Sequence, residues 1–174
     1  MTINHIVGDV TNTIESKGIK IIAHCCNNIG AWGRGVVLAI SRRWGMPELI
    51  YRRWAQENPF EMRNSLGKIQ IVPVERDIMV ANIIGQNGIK TKNGIPPVRY
   101  DAIRSGLEKI EKFMENYKDK NPTLHMPRIG CGLAGGEWQK IEPIIEETIS
   151  CPVYIYTLPH EVEQYNMVVK NDKP

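Results

Sequence analysis

The chain has 174 residues, 42% hydrophobic and 24% charged, with a formal charge of +3 and a pI near 8.7. A chain of this length buries a self-sufficient core and contains nothing resembling a linker, so one domain over 1–160 and a polar tail over 161–174 are expected. The charge suits an anionic ligand but is too small to mark a nucleic-acid protein, no apolar run approaches a bilayer span, and four cysteines without a Cys-x-x-Cys pair argue against a zinc site and for a reducing, cytoplasmic setting.

Residues 3–7 read as a short strand, and the first five residues carry no signal-peptide pattern. Gly8-Asp9 ends the strand, and Asp9 is open to two readings, a turn cap or a carboxylate that reads a ligand. Lys17-Gly18 turns the chain into 19–26, nearly all apolar with β-branched Ile19, Ile21 and Ile22, the pattern of a strand buried on both faces. That run breaks into Asn27-Asn28-Ile29-Gly30-Ala31-Trp32-Gly33-Arg34-Gly35. Its glycines let the backbone approach a ligand closely, and the amides entering a helix at Val36 suit an anion such as a diphosphate. Tight turning and helix-sheet packing are the other uses of such glycines.

Val36, Val37, Ala39, Ile40 and Trp44 predict a helix stopped by Gly45, and Pro47 starts another through Leu49, Ile50, Arg53 and Trp54. Arg42, Arg43, Arg52 and Arg53 read as a solvated helix face, with a nucleic-acid surface as the alternative. Residues 68–75 and 78–84 predict a hairpin that leaves into a polar segment over 85–94, either a cleft cover or an ordinary surface loop. Pro96-Pro97 precede a helix marked by Ile103, Leu107, Ile110, Met114 and Tyr117. After Pro122 comes a strand over 123–126, then Gly130-Cys131-Gly132-Leu133-Ala134-Gly135-Gly136, four glycines in seven residues. A helix from Trp138 to Ile149, with Pro143 placed in its first turn, and a strand over 152–158 close the pattern. This alternation is that of an α/β fold, a three-layer α/β/α sandwich with a mixed, mostly parallel sheet. Ligands of such sheets lie beyond the carboxyl ends of the strands, where both glycine loops fall.

GDVT at 8–11, HCCNNIGAWGRG at 24–35, MPRIGCGLAGGEW at 126–138 and VYIYTL at 153–158 together resemble a macro domain over most of the chain. Within that family they are most similar to the branch of terminal ADP-ribose protein glycohydrolases and yeast-type ADP-ribose 1''-phosphate phosphatases. The resemblance implies an ADP-ribose cleft in which Asp9, beside Val10, binds the adenine amino group and the ring lies near Tyr156 and Leu158. Trp32, Gly33, Arg34 and Gly35 would face Gly130, Cys131, Gly132, Leu133, Ala134 and Gly135 across the diphosphate, with Asn27 and Asn28 at the distal ribose. The chain departs from the glycohydrolases at Ala134, where they carry Asp, and at Gly85-Gln86, where they carry a catalytic Lys; Lys90 and Lys92 are the next amines downstream.

The implied activity is therefore hydrolysis of a phosphate, acyl or protein adduct from the distal ribose, with His24 and Asn27 as catalytic candidates beside an ordered water. The alternative is a non-catalytic reader of ADP-ribose or of ADP-ribosylated protein or nucleic acid, and a third candidate is an RNA-associated module using the arginine-rich helices. His24 and Tyr156 each carry a second reading as buried structural residues. Cys25 and Cys131, without a basic neighbour, are expected to be inert thiols. No metal, cofactor or membrane partner is implied.

Overall fold

The computed structural model describes residues 3–13 and 17–165. The expected tail beyond Tyr165 lies outside the described residues. Strands β1 (Ile3–Val7), β2 (Lys20–Asn27), β3 (Ile69–Glu75), β4 (Ile78–Gln86), β5 (Thr123–Pro127) and β6 (Val153–Thr157) form one sheet in the order β1-β6-β5-β2-β4-β3. Every pairing is parallel except β3 with β4, the expected hairpin. Apolar content sets position: β2 and β4, buried along nearly their whole length, take interior places, whereas β1 and β3, only partly buried, take the edges. Pro73, which has no amide to donate, is accommodated on the edge strand β3 beside a register shift.

Helices α1 (Val36–Arg43), α2 (Met46–Glu57) and α3 (Pro59–Arg63) cover one face, and α4 (Tyr100–Met114) and α5 (Trp138–Thr148) the other. Alternate strand residues feed two separate cores. Ile21, Ala23, Leu124, Met126 and Ile155 pack against Ile103, Leu107, Ile141 and Ile145, while Ile22, Cys26, Val80 and Ile84 meet Ile40, Tyr51 and Met62. Each fully buried aliphatic side chain contributes roughly 1.5–3 kcal/mol. The three-layer arrangement is thus the consequence of two apolar sheet faces that both need cover.

Local departures from the pattern have local causes. α4 ends at Met114, and residues 115–120 tighten into a 3-10 segment broken by the non-helical Tyr117. α3, a five-residue helix after Asn58, has too few residues to show a periodicity. Pro143 is the sixth residue of α5, in the second turn rather than the first, on an exposed side of the helix. Residues 159–165 form two short 3-10 turns that bring Tyr165 back onto Arg128, so the packed body continues past residue 160.

Candidate functional site

Parallel alignment delivers the carboxyl ends of β1, β6, β5, β2 and β4 to one rim, carrying Asp9, Leu158, Arg128, Asn28 and Gln86 respectively. The two glycine loops follow β2 and β5, which are adjacent, with Ile21 in register with Leu124. They are therefore neighbours on that rim. The segment 86–98 joins them: it folds back through bridges between Gln86 and Val98 and between Lys92 and Ile95. On one side Gly88 N donates to Asn28 Oδ1 at 2.8 Å and Asn28 Nδ2 donates to Asn87 Oδ1 at 3.0 Å. On the other side Val98 N donates to Ala134 O at 3.0 Å, and Gly135 lies against Pro96. The polar stretch after β4 is a brace between the loops, a role that neither sequence reading contained.

In the first loop the conspicuous side chains turn inward. Asn27 Oδ1 accepts from Ile29 N and Ala31 N at 3.1 and 3.0 Å, its Nδ2 donates to Ala31 O at 2.7 Å, and Tyr51 OH sits 2.8 Å from the same Oδ1. Trp32, buried, donates from Nε1 to Ser41 Oγ, and its carbonyl accepts from Arg52 Nη2 at 2.9 Å. Asn27, Asn28 and Trp32 thus shape the loop. Gly33, Arg34 and Gly35 remain exposed, and among the described residues their backbone N–H groups donate no hydrogen bond. Tyr51 carries no signal in the sequence, where it merges into the pattern of an ordinary helix face, and Arg52, read there as part of a solvated basic face, instead holds the first loop through the Trp32 carbonyl. The arginine-rich helices are largely paired: Arg52 with Glu48, Arg53 with Glu57, and Arg43 over the Trp44 ring.

The second loop is closed by Gly136 N to Gly130 O at 2.7 Å and Gly135 N to Gly132 O at 3.1 Å. Gly132 and Leu133 are exposed, and their amides donate nothing within the described residues. The glycines fall into two classes. At Gly30, Gly130 and Gly135, φ is positive and an added Cβ would press on Ala55, Ile103 or Pro96, so packing explains them. Four glycines have neither a positive φ nor any neighbour: Gly8, Gly33, Gly45 and Gly132, and all but Gly45 lie on this rim.

At the β1–β6 end, Asp9 Oδ1 accepts from Thr11 N and Oγ1, both at 2.8 Å, which is the turn cap. Its second oxygen has no partner among the described residues, so the capping role leaves a ligand role open. Val10 is buried in the core below. Tyr156 is also core: it is 4% exposed, and its OH lies 2.9 Å from His125 Nδ1. Leu158 stays on the surface. Arg128, absent from the sequence-derived set although it lies within the PRIGCGL motif, donates from Nε to Thr157 Oγ1 and is held between the Trp138 and Tyr165 rings.

The structure places His24, a catalytic candidate in the sequence, inside the core. It is fully buried, with Nε2 2.5 Å from Asn82 Oδ1. Asn82 Nδ2 donates to Pro47 O and Gln70 Oε1, so Oδ1 is the acceptor and His24 carries its proton on Nε2. Burial pushes its pKa down to about 4, and the ring is neutral. The nearby thiols are equally quiet: burial raises Cys25 to about 12 and Cys131 to about 11. Two open surface concavities lie elsewhere, one of about 590 Å³ at the opposite edge beside Lys17, Arg76 and Lys120, and one of about 400 Å³ beside α2. Their linings mix charges of both signs with apolar side chains, whereas the rim offers backbone donors without protein acceptors among the described residues.

No protein-family model matches the chain. A macrodomain protein from Streptomyces coelicolor is 41% identical, over 90% of this chain and 99% of that one, with a TM-score of 0.76. The chain belongs to the macrodomain family. A Bacteroides thetaiotaomicron protein of unknown function is 47% identical over 89% of this macrodomain and 98% of its own chain, at TM-score 0.80. The mouse Chromodomain-helicase-DNA-binding protein 1-like is 30% identical over 95% of this macrodomain, which spans only 19% of the mouse protein and 14% of the corresponding zebrafish one. An ADP-ribose 1''-phosphate phosphatase from Candida albicans is 24% identical over 90% of this chain and 99% of its own. In this macrodomain the two departures noted in the sequence are packing positions. A Cβ at Gly85 would stand 2.7 Å from Cys25 Sγ, and Ala134 is buried with its carbonyl on Val98.

Proposed function

We propose that this macrodomain binds ADP-ribose across the carboxyl rim and hydrolyses a phosphate, acyl or protein adduct from the distal ribose. The observation that carries the reading is the pair of bare glycines, Gly33 and Gly132, on loops after adjacent strands. Among the described residues nothing requires glycine there and the neighbouring amides have no protein acceptor, which fits a backbone cradle for a diphosphate. Asp9, whose second carboxylate oxygen has no partner among the described residues, is assigned the adenine amino group, and Leu158 the exposed apolar contact beside it. Tyr156 supports that end from within the core.

With His24 sealed and neutral and the thiols protonated, the nucleophile is assigned to water held against the ligand's own diphosphate. For a 1''-phosphate, water attacks phosphorus and the bond to the ribose 1'' oxygen breaks, giving inorganic phosphate and ADP-ribose. The full-length match to a yeast-type phosphatase supports this choice. The two catalytic candidates, His24 in the core and Asn27 committed to its own loop, offer no free acid or base at the rim, which favours the second reading, a reader that binds without turnover. No helix of the described residues is long and apolar enough to cross a membrane, and four free thiols favour a cytosolic setting.

Titration calorimetry with ADP-ribose tests binding, and phosphate release from ADP-ribose 1''-phosphate separates enzyme from reader. Saturable binding with release is expected. Folded protein that takes up no ADP-ribose at high micromolar concentration overturns both readings. Asp9→Ala is expected to weaken ADP-ribose by about tenfold through loss of a charged hydrogen bond, and ribose 5-phosphate, which lacks adenine, should be unaffected.

A further inference from the structure

We propose that the brace over 86–98 is also a docking surface for an acidic polypeptide segment that carries the ADP-ribose. The inference rests on the ADP-ribose reading above and names the kind of macromolecule attached to that ligand.

Three observations converge. The first is charge. The loops 27–35, 86–99 and 127–136 contain five Lys and Arg and no Asp or Glu, while the rest of the chain holds 17 against 19. The rim loops therefore hold more than the whole net charge of +3. Asp9, Glu161 and Glu163 lie at the β1–β6 end of this rim, and Asp101 and Glu137 border the loops at the starts of α4 and α5, with Glu137 paired to Lys140, so the excess of positive charge is concentrated on the loops after β2 and β4 themselves.

The second is availability. Arg99 is turned onto the carbonyls of Pro96, Pro97 and Val98, and Arg128 is held between two rings. Lys90, Lys92 and Arg63 are exposed and make no side-chain hydrogen bond or ion pair among the described residues. Asn28 ties the segment carrying Arg63 to the start of the brace that carries the two lysines: its Nδ2 donates to Arg63 O and to Asn87 Oδ1, each at 3.0 Å.

The third is apolar exposure on the same elements. Ile29 and Ile89 flank the Asn28 junction at 50% and 49% exposed, and Ile95 at the fold of the brace is 58% exposed. Interleaved aliphatic and cationic groups fit a peptide of alternating acidic and apolar residues. A single-stranded nucleic acid is the poorer fit, because it asks for exposed aromatic platforms and Trp32 in these loops is buried.

The test compares free ADP-ribose with ADP-ribose conjugated to an acidic, leucine-containing peptide, to a neutral peptide of the same length, and to a short oligonucleotide, by calorimetry at low and high salt. The acidic conjugate is expected to bind about tenfold more tightly than free ADP-ribose at low salt, from a few exposed charge pairs and one apolar contact, with the gain shrinking at high salt. K90A/K92A should abolish the gain while reducing the affinity for free ADP-ribose by a much smaller factor that vanishes at high salt, and I89S/I95S should reduce the gain that persists at high salt. Equal affinity for the acidic and neutral conjugates overturns the proposal, as does a larger gain for the oligonucleotide. Failure of free ADP-ribose itself to bind removes the nucleotide reading and the docking surface with it, an outcome distinct from binding without discrimination.

Discussion

Asn27 and Asn28 are adjacent, nearly sealed from water at 6% and 3% exposed, and each commits its amide to the protein. Asn27 closes its own loop, whereas Asn28 reaches two other segments through three groups, Arg63 O on one and Asn87 Oδ1 and Gly88 N on the other. Asn28→Ala leaves a carbonyl and an amide without their partner at a junction that cannot easily admit water, at a cost of about 2 kcal/mol. The brace would also lose its hold on the first glycine loop. A lower urea midpoint together with weaker ADP-ribose binding is the expected result, and Asn28→Asp, which retains the acceptor for Gly88 N, should recover part of the stability. Unchanged affinity in a destabilised Asn28→Ala protein would show that the brace does not set the cradle.

At the scale of elements, the second loop separates packing from binding. Gly130 has φ of 71°, and an added Cβ would stand within 3.0–3.1 Å of Ile103, Ile141 and Val98, so Gly130→Ala should lower stability by about 1–3 kcal/mol. Gly132 has neither strain nor neighbours, so Gly132→Ala should leave thermal stability within a degree or two of wild type while its methyl group obstructs the ligand face and weakens ADP-ribose binding. A normal affinity for Gly132→Ala would remove the backbone cradle from the mechanism. The same contrast marks what the sequence could carry. Periodicity and turn residues revealed the sandwich, the hairpin and both loops, because those features depend on neighbours in sequence. The division of the glycines into packed and bare did not show, since it depends on Ala55, Pro96 and Ile103 brought in from elsewhere. Likewise His24 and Asn82 are 58 positions apart, and only their pairing across β2 and β4 decides that the histidine is structural.

At the scale of the whole molecule, the face under α1 and α2 buries two polar groups that share one electrostatic fate. His24 is bound to Asn82 on one side of the sheet centre, and His125, stacked on Tyr154, lies between Thr123 Oγ1 and Tyr156 OH, both at 2.9 Å. Burial lowers both pKa values from 6.5 to about 4, with Lys20 adding to the effect at His125. As pH falls below 6.5 the unfolded chain takes up protons at these positions before the native state does. Protonation therefore favours unfolding, and the stability they supply is complete above pH 6.5 and lost progressively toward pH 4. A shift of this size corresponds to roughly 3 kcal/mol per histidine at most, a large share of the stability of a single domain. Urea midpoints measured from pH 7.5 to 4.5 should fall steadily below 6.5, before ordinary carboxylates titrate. His125→Gln, which retains hydrogen-bonding capacity without a titratable proton, should make that decline shallower by one proton's worth at pH 5.5. A pH profile that stays flat between 6.5 and 5 would mean that both rings reach water, and would reopen His24 as a group able to exchange protons at the rim.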